Sequence, residues 1–328
     1  MNSLLRGGAA LAALVLPLAA CSDGASGAAP GGAAADSGTE VLAALYPLQY
    51  VAEQVGGEHV SVSSITPAGV DPHDLELSPA AVATLDDATV VYLAGFQAAL
   101  DDALEVTSPA HALDVSQAAG VHTEDDGHEE TAEATTDDHE EETAEAPTDD
   151  HAGEAHADGD PHFWLDPTRL ADVATAVADE LAAADPDNAE DYAANAERLG
   201  TELSALDEEL STGLARCETR TIVVAHEAYG YLAEAYDLEQ VGISGLDPEA
   251  EPSPARLAEI GKVVEEKGVT TIFTEDLVNP AVAESLAADL GVEVAVLDPL
   301  ESQVDESQEY PDVMRANLEA LRSALGCA

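Results

Sequence analysis

A chain of 328 residues with 67 Asp and Glu against 10 Lys and Arg carries a formal net charge of −57. That balance excludes a basic nucleic-acid footprint and electrostatic docking on anionic lipid. A hydrophobic share of 46%, much of it alanine and only 4% aromatic, still supports a folded body, and the length suggests about two domains of ~150 residues.

Residues 1–20 read as an export signal, because Arg6 precedes an apolar run, Ala9–Ala20, that is too short to span a bilayer. The run ends in Leu18-Ala19-Ala20-Cys21, which looks like a bacterial lipobox. Cleavage there makes Cys21 a lipidated N-terminus; the alternative is a plain secretory signal that happens to hold a cysteine. Residues 21–39 are rich in Gly, Ala and Ser and read as a flexible tether. No later apolar run is long and uninterrupted enough to cross a membrane. The expectation is an exported, monomeric body held by lipid to the outer face of the cell membrane.

From residue 40 to 168, short apolar runs alternate with helix-like segments. Strands are expected at Val41–Tyr46, Val60–Ile65, Thr89–Leu93 and Ala110–Val115, with helices at Pro47–Val55, Pro79–Leu85 and Gln97–Leu104. Such alternation indicates a mainly parallel sheet flanked by helices. Residues 120–160 depart from it, with 17 acids, no Lys or Arg, and His122, His128, His139, His151 and His156. That composition cannot bury enough surface to offset ordering entropy, and a disordered loop is expected.

Residues 169–215 form a helical connector: helices are expected over Asp166–Ala184 and Ala189–Ala215, broken at Pro186. In the second of these, Leu199, Leu203, Leu206, Leu210 and Leu214 recur at helical spacing, a stripe that belongs in the core. The alternation returns over 216–328. Strands are expected at Thr221–Ala225, Leu238–Ile243, Val269–Thr274 and Val292–Leu297, and helices at Tyr229–Tyr236, Pro254–Lys267, Pro280–Leu290 and Tyr310–Leu325. The architecture is α/β: two similar lobes joined by one long helix. Outside the cytosol, Cys217 and Cys327 are expected to form a disulfide, two free buried thiols being the alternative.

Outside the acidic tract only His59, His73, His111, His162 and His226 remain. His73 lies in Asp71-Pro72-His73-Asp74-Leu75-Glu76-Leu77-Ser78-Pro79, and His162 in Asp160-Pro161-His162-Phe163-Trp164-Leu165-Asp166-Pro167. His226 ends a strand, in Ala225-His226-Glu227-Ala228-Tyr229-Gly230-Tyr231, and Asp298 ends another, in Leu297-Asp298-Pro299-Leu300. All four fall at strand C-terminal ends or in flanking loops, the crevice where open α/β sheets bind ligands. His59 and His111 lack such context and read as surface or structural residues. Asp71 and Asp166 read as residues that set local geometry or accept hydrogen bonds from ligands.

These motifs, with Asp247-Pro248-Glu249-Ala250-Glu251-Pro252-Ser253 and in this order, resemble the cluster A-I solute-binding lipoproteins of bacterial ATP-driven zinc and manganese importers, the zinc-uptake or TroA-like family. The resemblance covers residues 40–328 and includes an acidic, His-rich insertion before His162. It implies that His73, His162 and His226 are metal ligands, that Asp298 can supply a carboxylate from the last lobe, and that Glu275 supports a ligand or lobe closure. It also implies delivery of the ion to an ABC permease, with the site in the cleft between the lobes. Three imidazoles and one carboxylate suit a closed Zn²⁺ tetrahedron with bonds near ~2.0–2.2 Å, whereas Mn²⁺ prefers more oxygen. The fourth ligand stays open among Asp298, Glu275 and water, since Asp-Pro after a strand also begins ordinary turns. The five tract histidines form a weak auxiliary zinc trap, or else an inert solvated insertion. Competing functions are manganese capture, a zinc hydrolase, which needs an open coordination position and a base such as Glu227 or Glu275, and a metal-binding surface adhesin.

Overall fold

The computed structural model describes residues 39–121 and 159–328. The export signal, Cys21 and the tether to residue 38 lie outside the described residues, as do His122, His128, His139, His151 and His156.

The first lobe runs β1 (Thr39–Ala43), α1 (Tyr46–Gly56), β2 (Val60–Ser64), α2 (Pro79–Leu85), β3 (Thr89–Tyr92), α3 (Ala98–Thr107), β4 (His111–Asp114) and α4 (Ser116–Ala119). Its four strands are all parallel, in the order β2-β1-β3-β4. Then come α5 (Pro167–Ala184) and α6 (Ala189–Leu214). The second lobe contains β5 (Thr221–Val224), α7 (Gly230–Ala235), β6 (Glu239–Gly242), α8 (Pro254–Lys267), β7 (Thr271–Thr274), α9 (Ala281–Leu290), β8 (Glu293–Val296) and α10 (Tyr310–Leu325). Its parallel sheet has the order β6-β5-β7-β8, which repeats the first lobe's topology. Parallel neighbours require crossovers, and the intervening helices supply them.

The central strands β5 and β7 are buried at every residue, as strands covered on both faces should be. Most boundaries move by one or two residues and α3 runs on to Thr107, but one difference changes an element's type. The apolar run expected as strand Val41–Tyr46 divides, with the strand ending at Ala43 and α1 starting at Tyr46. An unbroken apolar run does not distinguish a buried strand from a buried helix turn, and Pro47 in the first turn fixes where the helix begins. Elsewhere short polar residues followed by proline set helix starts. Ser78, Asp166 and Ser253 accept the backbone N–H of Ala81, Thr168 and Arg256.

Helix α6 buries Leu199, Leu203, Leu206, Leu210 and Leu214 and packs on α1 and α5 on one side and α10 on the other. One hydrophobic core therefore continues through both halves, and a smaller one lies under α8 and α9. Direct bonds also join the halves: Trp164 Nε1 donates to Pro299 O at 2.7 Å, Tyr310 Oη to Trp164 O at 2.6 Å, and Gly69 N to Ser302 Oγ at 2.9 Å. The Cys217–Cys327 disulfide is formed and ties the end of α10 to the approach to β5. Among the described residues no helix is long and apolar enough to cross a membrane.

Candidate metal centre

Four side chains meet between the sheets' C-terminal ends. His73 sits in a 3-10 turn after β2, His162 precedes α5, His226 follows β5, and Glu301 follows β8. One ligand atom from each lies within 4.8 Å of the others. Glu301 Oε1 is 2.9 Å from His162 Nε2, 3.2 Å from His226 Nε2 and 3.4 Å from His73 Nε2, and His162 Nε2 is 3.5 Å from His226 Nε2. A tetrahedron with ~2.0–2.1 Å bonds has edges of about 3.3–3.4 Å, so these atoms already stand near the spacing of a zinc cage. His162 and His226 are fully buried, and Glu301 is nearly so. His73 Nε2 is buried and makes no close hydrogen bond among the described residues, its nearest acceptor being Glu301 Oε1 at 3.4 Å.

Carboxylates hold two of the rings from behind. Asp160 Oδ1 lies 2.8 Å from His162 Nδ1, and Glu275 Oε1 lies 2.8 Å from His226 Nδ1. Each pair makes Nδ1 a donor nitrogen and turns Nε2 toward the cluster, the arrangement that orients metal-binding imidazoles. Burial works to lower the pKa of His162, but its bonds with Asp160 and Glu301 outweigh burial and leave it raised. At His226 burial is again opposed, by Glu275 and Glu301, and the pKa is pushed up to about 10. Burial would raise Glu301, yet the three imidazoles hold it well below the usual carboxylate range.

The structure does not bring Asp298 into this group. Its Oδ1 accepts the backbone N–H of Leu300 at 2.7 Å, while Asn317 grips its backbone N–H and carbonyl. Burial first, and then Asp276, Glu275 and Glu301, raise its pKa to about 6 against the Leu300 bond. Leu300 takes a left-handed backbone, φ 60°, which is uncommon for a branched side chain. That turn swings Glu301 inward. The same device recurs: Asp71, Asp160, Asp166 and Asp247, each before a proline, accept the N–H of the residue two positions on. An Asp-Pro aspartate thus spends its carboxylate locally, and this signal could have directed the reading of Leu297-Asp298-Pro299-Leu300-Glu301 to its last residue. Asp166 caps α5, and it is Asp160 that reaches the His162 ring. His59 and His111 pair with Asp191 and Glu180, away from the centre.

Residues 41–324 match the family model of the zinc-uptake complex component A periplasmic protein, ZnuA. The chain is 35% identical over 300 residues to a protein of Streptococcus pneumoniae named zinc-binding lipoprotein AdcA, a match that covers 88% of this chain but spans only 56% of that relative's length. The crystal structure of that relative's Zn(II)-bound ZnuA-like domain superposes with a TM-score of 0.68 at 29% identity, covering 88% of this chain and 99% of the domain. This chain is 32% identical over 323 residues to the Bacillus subtilis protein named high-affinity zinc uptake system protein ZnuA, with 96% of each chain covered. The laminin-binding protein Lmb of Streptococcus agalactiae, described as having adhesin and metal-transporting activity, matches with a TM-score of 0.71 at 31% identity, over 88% of this chain and 100% of that one.

Proposed function

The chain belongs to the family of periplasmic zinc-uptake component A proteins, and from that premise we propose that it is an extracytoplasmic lipoprotein that captures Zn²⁺ and hands it to an ABC permease. The observation that carries this reading is the convergence of His73 Nε2, His162 Nε2, His226 Nε2 and Glu301 Oε1 within 4.8 Å, almost wholly out of solvent. Three imidazole nitrogens and one carboxylate favour Zn²⁺ over Mn²⁺, which takes a larger oxygen share. Four protein ligands fill a tetrahedron and leave no position for a reacting water, so the centre suits binding rather than hydrolysis. Asp160 and Glu275 act as orienting acceptors behind His162 and His226. A cage buried in a cleft offers its chemistry to an ion rather than to a macromolecular surface, which favours capture over adhesion.

The ligand count is the test. Zinc-edge absorption spectroscopy on the loaded protein should give three imidazoles and one carboxylate oxygen, with Zn²⁺ outcompeting Mn²⁺ in titration. Three protein ligands plus an exchangeable water would return the hydrolase reading, and equal affinity for Mn²⁺ would overturn the choice of ion.

A further inference from the structure

The rings of His162 and His226 are held at Nδ1 by carboxylates, but His73 is held by different means. It rides on the loop between β2 and α2, in the 3-10 turn Pro72–Asp74. We propose that Gln97 is a positioning residue for the metal centre, fixing where His73 Nε2 stands by gripping the backbone next to it; the proposal rests on the four-ligand reading above.

Gln97 is only 2% exposed. Its Nε2 donates two hydrogen bonds, to Pro72 O at 3.1 Å and to Thr66 Oγ1 at 2.9 Å. The buried Thr66 hydroxyl donates in turn to Ala44 O at 2.6 Å. Ala44 directly follows β1, and its own N–H is bonded to Val91 O of β3 at 2.9 Å. An unbroken polar chain thus runs from the central strand pair of the first sheet, through Thr66 and Gln97, to the carbonyl one residue before His73. Proline fixes φ at position 72, which removes one of the backbone rotations that could absorb a shift of that carbonyl before it reaches His73. From the other side, Asp71 Oδ1 accepts the His73 N–H at 2.8 Å. Phe96, the neighbour of Gln97, sets its ring edge-on to the His73 imidazole, with centroids 4.8 Å apart at 86°. Residues 96 and 97 therefore control the ring and its backbone together.

Two features separate this role from mere packing. Gln97 is the N-cap residue of α3, but its side chain makes no cap bond, and the cap is served by its backbone carbonyl, which accepts from Leu100 and Asp101. The amide is therefore not needed to start the helix. Its Oε1 is also buried with no partner among the described residues. An apolar side chain of equal length would avoid burying that oxygen, so the two donated bonds are what the amide supplies.

Gln97→Met keeps length and bulk and removes both donors. Zn²⁺ affinity at the tight site should fall about tenfold, equivalent to ~1.4 kcal/mol. The Co²⁺-loaded variant should lose intensity in the visible bands of tetrahedral Co²⁺. In a His73→Ala background the same change should have almost no further effect on Zn²⁺ binding, because the group it positions is gone. Wild-type affinity and Co²⁺ spectrum in Gln97→Met, or a full-sized loss persisting beside His73→Ala, would overturn the proposal. If His73→Ala itself leaves Zn²⁺ binding intact, the four-ligand reading fails instead. Should Gln97→Met not fold, Thr66→Val removes the relay hydroxyl at constant volume and should shift affinity and spectrum the same way by a smaller factor; no shift would count against the brace.

Discussion

Asp298 and Glu301 stand three residues apart on one turn and do different work with the same chemical group. The Asp298 carboxylate is committed to the Leu300 N–H, and the left-handed Leu300 that results carries Glu301 into contact with three imidazoles. A turn-forming role and a ligand role predict different mutants. Asp298→Asn keeps an acceptor oxygen and should bind Zn²⁺ within a few-fold of wild type, whereas Asp298→Ala frees the turn and should weaken binding about 10–100-fold, the range for loss of a group that orients a ligand. Equal losses in the two, read by competition titration, would instead make Asp298 a ligand. The convergence of the three histidines was legible in the sequence because each sits in a strand-end or Asp-Pro motif. Glu301 was not, since residue type and strand position alone do not choose between two neighbouring acids; the choice lies in the Asp-Pro turn, whose aspartate keeps its carboxylate for the Leu300 N–H.

At the scale of elements, helices and strands follow the pattern of apolar residues closely. The α6 stripe from Leu199 to Leu214 is read directly from its three- and four-residue spacing and is buried throughout. Leu206 is 1% exposed within the core shared by both halves. Leu206→Ala should cost about 2–5 kcal/mol by cavity formation, measured by denaturant unfolding of the metal-free protein. A loss under about 1 kcal/mol would show that the halves do not share one core at that point. The strand–helix boundary near Ala44 was less legible, because a continuous buried run has no polar face to reveal its period. The short α4, four residues long, gave no periodic signal at all.

For the whole molecule, the net charge of −57 divides unevenly. The tract over 120–160 holds 17 acids and five histidines, leaving −40 elsewhere, far more than one metal centre can use. Since Asp160 supports His162, a clean excision removes residues 122–158 only. That deletion should lower the Zn²⁺ stoichiometry while preserving one tight site, measured calorimetrically; an unchanged stoichiometry would make the tract an inert insertion. The remaining acid repels itself at low ionic strength. Melting temperature should climb between ~0.01 M and ~1 M NaCl, as the Debye length falls from ~30 to ~3 Å. A flat profile would mean that the excess lies too far apart to strain the fold.

The Asp-Pro turns have one more consequence. His73 and His162 each occupy the position after Asp-Pro, with the backbone N–H already tied to that aspartate, and Glu301 comes one residue later in the same kind of turn. Orientation is therefore settled within a handful of consecutive residues, whereas distance across the cleft is settled by how the lobes rest on α6 and by the Trp164–Pro299, Tyr310–Trp164 and Gly69–Ser302 bonds between them. A small parting of the lobes would open the cage along a seam, with His73 and His162 leaving as one oriented pair and His226 and Glu301 remaining as another. Discharge of the ion would then pass through a two-ligand half-cage, so a slight mechanical displacement would become a large drop in grip.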